Sequence, residues 1–203
     1  MAKKSKLPPN AVGLTQAIDR FTKQGDRGTA LVAAAWLDDA VKECLRAMFR
    51  PDQRVVDELL QGDGPLGSFS SRIKLAYLLD LIDPAARADL DRIRGIRNDF
   101  AHRRDDLRFS TPSIRDRCRQ LRGAAACKAG GWDLRSPKQR FVATAYFLTQ
   151  YLLDATKDCK RNRPLDHDFY SAWIRRTAKH MQLEFWVSEL HRLGVPRRRR
   201  TRS

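Results

Sequence analysis

The chain has 203 residues, 42% of them apolar and 32% charged, with a formal net charge of +16. That length fits one domain, and interspersed charge beside an apolar fraction sufficient for a core excludes global disorder. No apolar run approaches the roughly 20 residues of a membrane helix, and the start MAKKSKLPPNAVG is positive with no apolar segment behind it, so the expected location is the cytoplasm with no membrane contact.

Helical periodicity then runs along nearly the whole chain. Leu14, Ala17, Ile18 and Phe21 predict a first helix over 11–24, and Leu37, Val41, Leu45 and Met48 a longer one over about 29–50, with Gly28 and Thr29 at its start. Val55, Val56, Leu59 and Leu60 predict a short third helix, entered through Pro51-Asp52 and closed by Gly62. In the loop GDGPLGS, 62–68, the glycines suggest a phosphate cradle, but no lysine follows Gly67, so Gly62, Gly64, Pro65 and Gly67 read as a tight connection. Ser68 or Ser70 caps a fourth helix that buries Ile73, Ala76, Tyr77 and Leu79 to Ile82.

Asp83-Pro84 ends that helix and starts a fifth over 84–103, burying Leu90, Ile93, Ile96 or Arg97, and Phe100. Thr111-Pro112 opens a segment with Ile114, Cys118 and Leu121, and Ser136-Pro137 one with Phe141, Ala145, Leu148 and Leu152. Between them RGAAACKAGGWD reads as a loop. A last helix, about 166–193, carries Phe169, Trp173, Met181, Phe185 and Leu190 and stops at Gly194 with Pro196 beyond. The fold class expected is all-α, a single-domain bundle of about seven or eight helices with antiparallel neighbours. Residues 1–10 are expected as a disordered basic segment, 11–194 as the helical domain and 195–203 as a disordered basic tail.

Half of the positive surplus sits in the two ends, on Lys3, Lys4 and Lys6 and on Arg197, Arg198, Arg199, Arg200 and Arg202. The other half lies on the folded body, where it favours polyanions without reading base sequence. Terminal charge blocks also occur simply as solvated ends. Cys44, Cys118, Cys127 and Cys159 lie far apart with no C-x-x-C pair, so each reads as a reduced core residue and neither a disulfide framework nor a zinc site is indicated. Asp26, Arg27, Asp38 and Asp39 read as a cap and a solvated face. His167, His180 and His191 form no ligand pair, and nothing signals a metal or cofactor.

The stretch IRNDFAHRR, 96–104, carries the chemistry. Arg97, Asn98 and His102 combine a permanent cation, an amide and an imidazole, a set that can cut RNA without a metal, the imidazole moving the 2′-hydroxyl or leaving-group proton while the guanidinium holds the phosphate. Five residues at about 100° each put Arg97 and His102 about 140° apart around the helix, so they converge only if a two-fold dimer sets two helix ends side by side. Asn98 and His102 share a face. A plainer reading stands beside this: His102, Arg103 and Arg104 complement the negative end of the helix dipole, and Asp99 with Arg103 makes an i, i+4 pair. Farther along, Arg175, Arg176 and Lys179 with Trp173, Phe185 and Trp186 give a basic face that can stack on unpaired bases, although such aromatics are also core residues.

The motif of Arg97, Asn98 and His102 at a helix end resembles that of the HEPN superfamily. The resemblance implies a HEPN-like helical fold, a homodimer and, in its active members, a metal-independent endoribonuclease that has a small antitoxin as partner. DRGTALVAAAWLDDAV (26–41), GPLGSFSSRIKLAYLLDLI (64–82) and IRGIRNDFAH (93–102) together resemble the mannitol operon repressor family over roughly residues 14–122. That resemblance implies a helical regulator acting negatively on transcription. Three functions are therefore carried forward: such a regulator, meeting nucleic acid through Arg97, Asn98, His102 and the cations Arg103, Arg104, Arg175, Arg176, Lys179 and Arg197 to Arg200; the endoribonuclease; and a module that binds a protein.

Overall fold

A computed structural model of the chain describes residues 21, 23–103, 106–124, 134 and 136–160. Among them are six helices and no strand: α1 (Asp26–Met48), α2 (Gln53–Leu60), α3 (Phe69–Leu78), α4 (Pro84–His102), α5 (Pro112–Arg119) and α6 (Pro137–Lys160). The predicted last helix, 166–193, both terminal segments and most of the first predicted helix lie outside the described residues.

Local chemistry sets most of the boundaries. Asp52, Ser68 and Asp83 each turn a side-chain oxygen to a free N–H of the first turn, on Val55, Ser71 and Ala86, which satisfies a donor the helix itself leaves orphaned. Gln139 accepts from the Ser136 N–H at 3.1 Å, the return half of a capping box at the start of α6. The connection 61–68 folds by Gly64 and Leu66 N–H groups bonding back to Gln61 and Leu59. A Cβ at Gly64 would fall 2.2 Å from the Glu58 carbonyl oxygen, and one at Gly67 2.2 Å from that of Gly62, so these glycines serve a close turn and not a phosphate.

Three boundaries differ from the sequence reading. Helix α1 begins at Asp26, with Gly25 as its cap residue and no side-chain cap. Helix α3 stops at Leu78, because Asp80 adopts a left-handed φ of 55° and lets Asp80 and Leu81 N–H bond to Tyr77 and Ala76 carbonyls. This is a Schellman ending without its usual glycine; it delivers Leu81 and Ile82 to the core but leaves Leu78 exposed and, contrary to expectation, Leu79 and Asp80 as well. Gly123 and Ala124, expected in a loop, are already helical. Their start is held by Asp89 of α4, fully buried, whose carboxylate accepts from the Arg122 and Gly123 N–H groups at 2.9–3.0 Å.

The core is one cluster. Helix α1 buries Ala30, Ala33, Leu37, Val41 and Leu45 against Phe141, Leu148 and Leu152 of α6 and Ile93, Ile96 and Phe100 of α4. Lys138 bonds the Gln24 carbonyl near the start of α1, and Cys159 meets Cys44 near the other end of both helices. Helices α1 and α6, which are not neighbours in the chain, therefore run parallel, whereas α4 opposes both. Parallel packing of distant helices needs a long connection, and here the intervening helices supply it. Phe100, Phe109 and Phe141 form a chain of rings with centroids 5.1 and 5.0 Å apart, joining α4 and the following loop to α6.

Charge inside this core is tied down. Arg72 of α3, only 7% exposed, forks onto Asp38 of α1 at 2.8 and 2.7 Å and donates to the Leu60 and Leu66 carbonyls. Burial pushes the Asp38 carboxyl up from its ordinary value, against the pull of Arg72. Asp38 is thus no member of a merely solvated face.

Asp38→Ala, which strands the buried guanidinium, is expected to cost about 3–5 kcal/mol in urea unfolding; a loss below about 1 kcal/mol would make the pair no better than a surface one. Asp80→Gly is expected to raise stability by about 0.5–1 kcal/mol by relieving the left-handed residue, and a lowered Tm would contradict that account.

Candidate functional site

Residues 96–102 form about the last two turns of α4, and Arg103 follows as its C-cap residue. Ile96 and Phe100 are fully buried and fix the helix rotationally. Arg97, Asn98 and Asp99 are then half-buried on its flanks, and His102 is exposed at its end. Of the core alternatives Ile96 or Arg97, the core takes Ile96.

Arg97 donates from Nη1 to the Asn98 side-chain oxygen at 3.1 Å. The two are brought together, while His102 makes no hydrogen bond or ion pair among the described residues and stands apart from them. Asp99 goes to Arg117 of α5, a partner that the i, i+4 reading with Arg103 does not include. Arg103 is the exposed C-cap residue, its N–H bonded to the Asp99 carbonyl. Arg104, Arg175, Arg176, Lys179, Arg197, Arg198, Arg199 and Arg200 lie outside the described residues.

The charge pattern along α4 singles out one residue. Arg87 and Arg94 both pair with Asp91, at 3.8 and 3.6 Å, and Arg92 pairs with Asp89 at 3.6 Å. Arg97 is the remaining arginine of the helix, and among the described residues its partner is a neutral amide. A guanidinium with a carboxylate beside it has its field largely cancelled; one with an amide keeps it, along with donors for a phosphate or carboxylate. Asn98 fixes the fork without consuming its charge.

The helix end is braced by residues the sequence reading set aside. Arg27 donates to the Arg103 carbonyl. Asp26 accepts from the Phe109 N–H at 2.8 Å and pairs with Lys138 at 3.2 Å. These contacts cross 76 and 83 residues of chain, so Asp26 and Arg27 are anchors for the loop that follows the motif, not a cap and solvated face. No local signal could have found them, because each partner lies on a segment remote in sequence. No group of three or more His, Cys, Asp or Glu among the described residues could hold a metal ion, and no helix there is long and apolar enough to cross a membrane.

A family model described as MtlR, mannitol repressor, matches residues 22–150. Mannitol operon repressors of Escherichia coli K12 and of an Escherichia coli O6:H1 strain are each 32% identical over 92 residues, covering 43% of this chain and 47% of theirs. The chain thus spans about half the length of the curated relatives it matches. The X-ray structure of the MtlR–HPr complex from Escherichia coli contains a chain with the same fold, at a TM-score of 0.51 and 23% identity, covering 72% of this chain and 98% of that one.

Asp26→Ala removes the acceptor of the Phe109 N–H and a partner of Lys138. It is expected to cost about 1–3 kcal/mol and to speed amide exchange at Phe109; unchanged exchange there would mean that the ring packing alone holds the loop.

Proposed function

The chain belongs to the mannitol repressor family, and on that premise we propose that it is a negative regulator of gene expression that meets a nucleic acid at the C-terminal end of α4. The observation that carries this reading is the half-buried Arg97, its charge uncancelled along a helix whose other arginines are paired with carboxylates. Asn98 orients the guanidinium and exposed His102 and Arg103 extend the same helix end. The net charge of +16 draws a polyanion toward the body of the protein and releases counterions when it binds. Arg104, Arg175, Arg176, Lys179 and the tail arginines extend the binding surface in this proposal. The regulator resides in the cytoplasm and acts as a homodimer.

A second reading is favoured by one observation, the solvent exposure of His102 with its ring free of partners among the described residues. In a two-fold dimer that imidazole and the partner copy's Arg97 would flank one phosphate, as in a HEPN-type endoribonuclease with a small antitoxin. A protein partner is the third, supported by the structural neighbour's having been solved as a complex with HPr.

Affinity for operator-length duplex DNA and for single-stranded RNA, measured across a salt series, separates the readings. Arg97→Ala is expected to weaken binding severalfold and to flatten the slope of log affinity against log salt by about 0.9 for duplex or 0.7 for single strands. Coincident slopes would remove Arg97 from the interface. Incubation with RNA in EDTA tests the second reading: cleavage by wild type that His102→Ala abolishes makes the protein an enzyme, and equal cleavage by both makes it a contaminant.

A further inference from the structure

Charge on this body is unevenly placed. Residues 106–122 carry Arg108, Arg115, Arg117, Arg119 and Arg122 against Asp106 and Asp116, whereas 51–63 carry Asp52, Asp57, Glu58 and Asp63 against Arg54. The acidic stretch is tied to the C-terminal end of α1, where Arg46 pairs with Asp57 at 2.8 Å. The basic one is tied to the N-terminal end, where Asp26 holds the Phe109 N–H. At 1.5 Å per residue these two anchor points lie about 30 Å apart along α1. We propose that the outer face of α5 takes the phosphate backbone of duplex DNA, forming one surface with the Arg97 end of α4 and leaving α2 turned away. This inference rests on the nucleic-acid reading of the α4 end and names the form of the ligand.

Helix α5 is fixed relative to that end. Arg117 reaches across α4 to Asp99, passing so near Gly95 that a Cβ there would lie 3.3 Å from its Nη1, and Arg92 meets Gln120 at 3.4 Å. With Ile114 and Cys118 in the core, Arg115 and Arg119 fall one turn apart on the outer side, about 6 Å along the axis. That spans about two phosphate steps of one strand, each about 3.4 Å in rise. Both guanidiniums reach the same Oδ1 of Asp116, at 3.2 Å each, so one carboxylate faces two cations and a positive charge is left over. Their side chains are 38% and 63% exposed. The acidic end at α2 repels the same polyanion, so the field of the body sets which end meets it.

The aromatic rings favour a duplex over a single strand. Single strands are held largely by bases stacked on accessible rings, and Phe100 of α4 and Phe109 of the loop before α5 are both buried in the core. Cations on rigid helices suit a backbone whose bases are already paired. The regulator reading makes that duplex DNA.

The test titrates the full chain against a labelled DNA duplex of about 20 base pairs and mixed sequence, the matching RNA duplex and the single DNA strand, across a salt series. Arg115→Gln with Arg119→Gln is expected to weaken binding to the DNA duplex severalfold and to flatten the slope of log affinity against log salt by about 1.8, at about 0.9 per phosphate contact. Arg54→Gln with Lys157→Gln removes two exposed cations elsewhere and is expected to keep the wild-type slope. Asp116→Asn acts in the opposite direction and is expected to tighten binding, which decides the matter should the α5 double variant fold poorly. Coincident slopes for wild type and the α5 variant, an equal flattening by the Arg54 and Lys157 variant, no tightening by Asp116→Asn, or tighter binding of the RNA duplex or the single strand would each overturn the proposal. A slope flattened by Arg97→Ala but not by the α5 variant removes α5 and leaves the reading of the α4 end, whereas no binding of any of the three probes removes both.

Discussion

The guanidinium of Arg72 is the point on which this bundle turns. Its fork holds a carboxylate of α1, its remaining donors hold the last carbonyl of α2 and one from the following turn, and its own backbone belongs to α3. A buried cation is tolerated only with its charge matched and its donors used, so the requirement fixes three helices and a loop in one arrangement. The turn that Gly64 and Gly67 permit presents the Leu66 carbonyl to Arg72. Burial of Asp38 opposes the pair, which is why the interaction acts more by excluding other arrangements than by adding net stability.

The same logic recurs at the far end of α4, with a different result. Asp26, Arg27, Lys138 and Arg117 secure the helix terminus and the loop after it through contacts between distant segments. Those charges are used in bracing, and Arg87, Arg92 and Arg94 each have a carboxylate beside them, with Asp91 shared by two of them, whereas Arg97 has only the Asn98 amide among the described residues. A rigid helix end with one uncancelled guanidinium is a better anion receptor than a uniformly basic surface, since its donors are held in place before the anion arrives. The regulatory reading and the nuclease reading share this feature and part only over His102.

The helix starts were legible because capping is a matter of three or four adjacent residues: Asp52, Ser68, Asp83-Pro84 and Ser136-Pro137 mark α2, α3, α4 and α6 where the sequence places them. The buried faces of α4 and α6 were equally legible from their periodicity, down to Phe141, Ala145, Leu148 and Leu152, and that of α1 through Leu37, Val41 and Leu45 but not Met48, which is exposed at the helix end. The end of α3 was not, since an aspartate at a left-handed position carries no sequence signal that glycine would have given. The helix end that carries Arg97, Asn98 and His102 could be located, but the partners of the charges around it could not.

What the amino-acid sequence determined by itself was therefore the all-helical class, the six described helices and the family to which residues 22–150 belong. What only the tertiary structure decided was every pairing across the chain: Arg72 with Asp38, Asp26 with Phe109, Asp99 with Arg117, and the parallel course of α1 and α6. Periodicity and capping are set by neighbours within one or two turns, whereas a charge finds its partner through the packing of whole helices, and that packing is a property of the assembled core.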